Sequence, residues 1–152
     1  MIIVGKTGLG KIWLACALAH KACRDDRSVL YQRVPCLFNA LALARGDGRN
    51  ARLLKTIARS QLLILDDWGL TNVTAEQGRD LLEILDDRQG RGSTIVTSQV
   101  DVKHWHEMIA NPTVDDAILD RLNYNAHRLN LAGDSLRKGS AKRAGLDGNR
   151  PA

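Results

Sequence analysis

The segment Gly5-Lys6-Thr7-Gly8-Leu9-Gly10-Lys11 follows a short apolar run and opens a stretch of helical pattern. This order constrains the 152-residue chain more than any other feature. A G-x-x-x-x-G-K run between a strand and a helix has the layout of a phosphate-binding loop. Gly5, Gly8 and Gly10 allow backbone N–H groups to turn toward a phosphate, and the helix start adds the positive end of its dipole. Lys11 brings an ammonium within reach of the terminal phosphates. Outside that setting the same residues would read as a glycine-rich turn with a solvated lysine. The match stops at the next position, where Ile12 and then Trp13 follow the lysine. Ile12 has no oxygen for a magnesium ion, so the loop predicts phosphate binding with impaired hydrolysis.

Two further apolar runs end in polar side chains. Leu62-Leu63-Ile64-Leu65 leads into Asp66 and Asp67, and Ser93-Thr94-Ile95-Val96-Thr97 leads into Ser98 and Gln99. Ligands of parallel sheets bind at the carboxyl ends of the strands. Behind a phosphate loop, Asp66 is placed to help hold magnesium and Asp67 to polarise an attacking water. Gln99, ending the next strand, could reach the terminal phosphate or that water. Taken alone, the double aspartate is a helix cap or a solvated turn, and Gln99 a strand-to-loop turn.

Short strand-like runs alternating with helical ones indicate an α/β protein with a mostly parallel sheet. Five strands are expected at residues 2–4, 29–32, 62–65, 94–97 and 127–131. Helices are expected at 11–24, 35–45, 75–89, 102–110 and 114–124. Residues 45–50 read as a loop. Leu14 and Leu18 give the first helix a face for the sheet, Leu81, Leu82 and Leu85 do the same near the middle, and Thr74 can cap that helix. With 44% hydrophobic and 26% charged residues, the chain can form a core. Its length fits one domain, expected over residues 1–133. The first strand has only three apolar residues where about five or six are usual, so a truncated start is expected.

The net charge of +5 is unevenly spread. Residues 132–152 hold five basic and two acidic side chains, which leaves the body with +2. Past Gly133 the lack of periodicity predicts a basic, disordered tail over 134–152, and such a tail supports at most weak, salt-sensitive and sequence-independent DNA contact. No run is long and apolar enough to cross a membrane and the start lacks a leader layout, so a cytoplasmic location is expected. Cys16, Cys23 and Cys36 are odd in number and lack C-x-x-C spacing, and are read as buried free thiols. His104 and His106, two apart, read as surface residues rather than metal ligands. Trp68 and Trp105 read as packing residues.

The segments ACALAHKACR, LLILDDWGL, LLEILDDR, STIVTSQ, DAILDRLNYNAHRLNL and GDSLRK together resemble the IstB-like ATP-binding helpers of insertion-sequence transposition. These are AAA+ ATPases related to the DnaC helicase loaders and the DnaA initiators, and the resemblance runs from the loop to about Lys138. It implies a P-loop NTPase of the AAA+ type, with a five-stranded sheet between helices. It also implies ATP and Mg2+ as ligands, a homo-oligomer on DNA with the nucleotide between subunits, and a transposase partner. Carried over by motif, Lys11 is the phosphate-binding lysine, Asp66 the magnesium-associated carboxylate, Asp67 the catalytic carboxylate and Gln99 the sensor of the fourth strand. Arg121, within AILDRL, matches the arginine that reaches a neighbour's site. Arg137, within GDSLRK, matches the second sensor. From the residues alone Arg121 would pair on the helix surface with Asp120 or Glu107, the adjacent Asp120 being geometrically poor. Ile12 departs from the family's G-K-T, and the family's further N-terminal region is lacking, which together point to a remnant of a mobile-element gene. A replication helicase loader of the DnaC type and a non-catalytic nucleotide-binding module are the alternatives.

Overall fold

The computed structural model describes residues 1–137. Five strands, β1 (Ile2–Gly5), β2 (Val29–Arg33), β3 (Leu62–Trp68), β4 (Ser93–Ser98) and β5 (Arg128–Leu131), form one sheet in the order β2-β3-β4-β1-β5. Every pairing in it is parallel. Parallel strands are buried on both faces, and this chain distributes its side chains accordingly. Ile2, Val4, Leu63, Leu65 and Val96 enter the larger core, whereas Ile3, Leu62, Ile64 and Ile95 face the smaller one.

Helices cover both faces. On the smaller core lies α1 (Lys11–Arg24), with Ala15 fully buried and Leu14 and Leu18 packed against the sheet. On the larger core lie α2 (Val34–Gly46), α3 (Asn50–Arg59), α4 (Ala75–Arg88) and α5 (Pro112–Asn123). Thr74 caps α4 as expected, in a reciprocal capping box with Gln77. Asn111 caps α5, where Pro112 suits the first turn. Trp68 and Trp105 are both buried and pack together with ring centroids 5.6 Å apart.

Several expectations need correction. Strand β3 runs three residues past its predicted end, so Asp66 and Asp67 lie within the strand. Its ladder with β4 shifts register between Leu65 and Trp68, and Asp67 has φ 61°. The loop expected at 45–50 shrinks to 47–49, because α2 continues through Gly46 and α3 begins at Asn50. Helix α3 itself was not expected. Its buried Leu54 and Ile57 are three apart, a short helical signal with no capping side chain to mark its start. The helix expected at 102–110 is a 3-10 helix over Val102–Glu107. The three cysteines are free but exposed, not buried. Cys16 and Cys23 lie seven residues apart on α1, on the side away from the Ala15 and Leu18 face.

Candidate functional site

The glycine-rich loop leaves β1 at Gly5 and enters α1 at Gly10, both at the carboxyl end of the sheet. Gly8 (φ 86°) and Gly10 (φ 83°) take left-handed backbone that other residues rarely adopt. Gly5 is needed for a different reason: a Cβ there would lie 2.8 Å from the carbonyl oxygen of Leu131 in β5. The Lys11 ammonium folds back along the loop, donating to the carbonyls of Gly5 (2.6 Å) and Lys6 (3.0 Å). Burial pushes it below the usual lysine range. Asp66 and Asp67 oppose that shift, and Arg137 adds to it.

The two aspartates, adjacent in sequence, have different partners. Asp66 is buried and accepts hydrogen bonds from the Tyr31 hydroxyl (2.6 Å) and the Thr97 hydroxyl. Burial, then the contact with Asp66, drives the Tyr31 phenol well above its ordinary pKa. Asp67 Oδ2 accepts from Arg33 Nε (2.9 Å) and Nη2 (2.7 Å), and the Asp67 amide donates to Thr97 Oγ1 (3.3 Å). Arg33 ends β2, in register with Asp66 on β3. Thr7, Tyr31, Arg33 and Thr97 were missed from sequence because their roles depend on which strands are neighbours.

Gln99 follows β4 and accepts from the Thr7 hydroxyl (2.7 Å), which ties the end of that strand to the loop. The amide of Leu136 donates to the carbonyl of Gly8 (2.9 Å), and Ser135 lies directly over Gly8. Residues 134–137, the beginning of the expected tail, thus cross the loop, while 138–152 lie outside the described residues. One cleft of about 740 Å³ results. Its walls include Lys11, Ile12, Asp66, Asp67, Gln99 and Arg137, so residues far apart in sequence meet there.

Arg121 does not join them. It donates to Asp86 on α4 and to the carbonyl of Ala117 (2.9 Å), beside a separate cleft at the opposite end of the strands. Neither Asp120 nor Glu107 is its partner; the packing of α5 on α4 brings Asp86 closer. His104 and His106 are exposed and lie near Glu107. Among the described residues no cluster of three His, Cys, Asp or Glu is arranged for a metal. Beside the loop, Ile12 offers no oxygen and both Asp66 oxygens already accept from hydroxyls. Those residues fit a magnesium ion carried mainly by phosphate oxygens, with Asp66 nearby, better than one held by the protein alone.

Residues 1–144 match the family model described as IstB-like ATP binding protein. The chain belongs to that family. The insertion sequence ATP-binding protein y4pL of Sinorhizobium fredii is 64% identical over 144 residues, covering 95% of this chain and 59% of its own length. The IS21 ATP-binding protein of Pseudomonas aeruginosa is 32% identical over 146 residues, covering 96% and 55%. The IstB-like chain therefore spans little more than half the length of these curated relatives. Among solved structures, AMPPCP-bound DnaA from Aquifex aeolicus superposes with a TM-score of 0.76 at 17% identity, over 100% of this chain and 46% of that one. The DnaC helicase loader gives 0.74 at 20% identity, over 87% and 77%. These likenesses establish the AAA+ P-loop fold. Among the described residues no helix is long and apolar enough to cross a membrane.

Proposed function

We propose that this IstB-like chain binds ATP in the cleft beside Gly5–Lys11 and, with a transposase, acts on DNA during transposition. The observation that carries the reading is the meeting of Lys11, Asp66, Asp67, Gln99 and Arg137 around one cleft at the carboxyl end of a parallel sheet. Gly8, Gly10 and the start of α1 cradle phosphates, and Lys11 and Arg137 bring positive charge to them. Asp67 polarises water, Gln99 positions the water or the terminal phosphate, and Asp66 stands by the magnesium ion. Bound magnesium would neutralise charge developing on the phosphates. Arg121, outside its own cleft, would serve a neighbouring copy in a homo-oligomer.

DNA contact has support on the body as well as the tail. Arg52, Lys55 and Arg59 share one exposed face of α3, a helix without acidic residues. Such a stripe suits phosphates without reading sequence. The names of the relatives favour transposition over a DnaC-type loader, and a transposase reading frame beside this one would distinguish the two.

The test is a titration with fluorescent ATP. Lys11→Ala should weaken binding by about tenfold or more, as for a lost hydrogen bond to a charged group. Equal affinity of the two proteins would remove the cleft from consideration. Binding without any phosphate release would favour the non-catalytic module.

A further inference from the structure

The cleft is lined by the polar Thr7, Asp66, Asp67 and Gln99 and by the apolar Trp13 and Leu136, which both approach Gly10. A Cβ built on Gly10 would lie 3.2 Å from Leu136 Cδ1 and 4.0 Å from Trp13 Cβ. Trp13 is 82% exposed, although Trp68 and Trp105 are almost wholly buried. It sits in the first turn of α1, two residues beyond Lys11, and turns away from the core that Leu14 and Ala15 enter. An indole left in water beside a phosphate loop gains by covering a flat apolar surface.

We propose that Trp13 stacks on the base of the bound nucleotide, with Leu136 beside the same glycine. The inference rests on the nucleotide reading above and adds to it the part of the ligand that the loop does not hold. A nucleoside triphosphate is itself charged at one end and aromatic at the other, and Lys11 and Trp13 on the same cleft offer a partner for each. Phosphates lie toward Lys11 and the aspartates, and the base lies against the indole. The ligand class is therefore a base-bearing triphosphate, not a bare polyphosphate.

Calorimetric titration of the 152-residue chain with ATP and with inorganic tripolyphosphate tests this. Trp13→Ala should weaken ATP binding by about 5- to 150-fold, the range for loss of a base–aromatic stack, and leave tripolyphosphate affinity unchanged. Trp13→Phe, which keeps a ring, should recover most of the loss. ATP should also quench the emission of the exposed tryptophan, and tripolyphosphate should not. The proposal is overturned if Trp13→Ala binds ATP like wild type while Lys11→Ala does not; the phosphate site then stands without the stack. Equal weakening toward both ligands also overturns it, because the indole would then be supporting the loop. If wild type binds neither ligand, the nucleotide reading falls and this inference with it.

Discussion

Arg33 closes β2 with its guanidinium on a single oxygen of Asp67, Nε at 2.9 Å and Nη2 at 2.7 Å. The contact raises the arginine's own pKa, first through the hydrogen bond and then through the charge of Asp67. A carboxylate held this way has one oxygen committed and less freedom to polarise a water.

Arg33→Ala should therefore raise steady-state phosphate release while changing ATP affinity little. The gain should not exceed about fivefold, because an exposed ion pair is worth at most ~1 kcal/mol. A drop in turnover would mean that Arg33 orients Asp67 rather than restrains it.

Ile12 lines the cleft without belonging to the buried core, so a hydroxyl at this position would open on the cleft. Ile12→Thr should raise ATP hydrolysis by up to roughly 100-fold, the cost of misplacing a reacting group by about 1 Å. Its affinity for ADP without magnesium should hardly change. Phosphate release by Ile12→Thr with Asp67→Asn is the control; activity that survives loss of Asp67 would come from elsewhere.

Asp115 gives a pH-dependent stability effect away from the cleft. It is buried in the first turn of α5, and its Oδ1 has no hydrogen-bond partner among the described residues. A helix N-terminus favours a carboxylate, yet burial, then Asp116, raises this pKa, with His106 opposing. Burial therefore prevails. An acid whose pKa is raised on folding contributes most when protonated, and that contribution is lost as pH rises from the unfolded value near about 3.9 through the folded one. Asp115→Asn should melt higher than wild type at pH 7, with the gap closing as the pH falls toward about 4. A gap that is constant with pH would point to packing rather than charge.

The strand positions were readable because parallel strands buried on both faces leave short apolar runs, and the loop because Gly8 and Gly10 have conformations that only glycine enters easily. What escaped was what depends on neighbours in space. Arg33 meets Asp67 because β2 lies beside β3, and Tyr31 and Thr97 meet Asp66 because β3 lies between β2 and β4. Helix α3 was hidden by its ten-residue length and uncapped start. The cysteines were misread because α1 buries only one narrow face, leaving Cys16 and Cys23 on the other.

Arg121 supplies a test of assembly. In one copy it is held by Asp86 and the Ala117 carbonyl, at the end of the strands opposite the loop, so it cannot act on its own cleft. If it acts on a neighbour, Arg121→Ala should bind ATP normally and hydrolyse it poorly. Asp67→Asn should behave the same way for a different reason. Mixing the two then creates some sites with Asp67 from one copy and Arg121 from the next. In a head-to-tail assembly formed at random from equal amounts, about a quarter of the sites would be complete. Phosphate release by the mixture should rise well above either variant alone. Asp86→Ala separates this from a purely structural role, since it breaks the Arg121 contact yet leaves the guanidinium free to reach across. Hydrolysis retained by Asp86→Ala and recovered in the mixture would support action in trans; a mixture no better than its parts would confine Arg121 to holding α5 on α4.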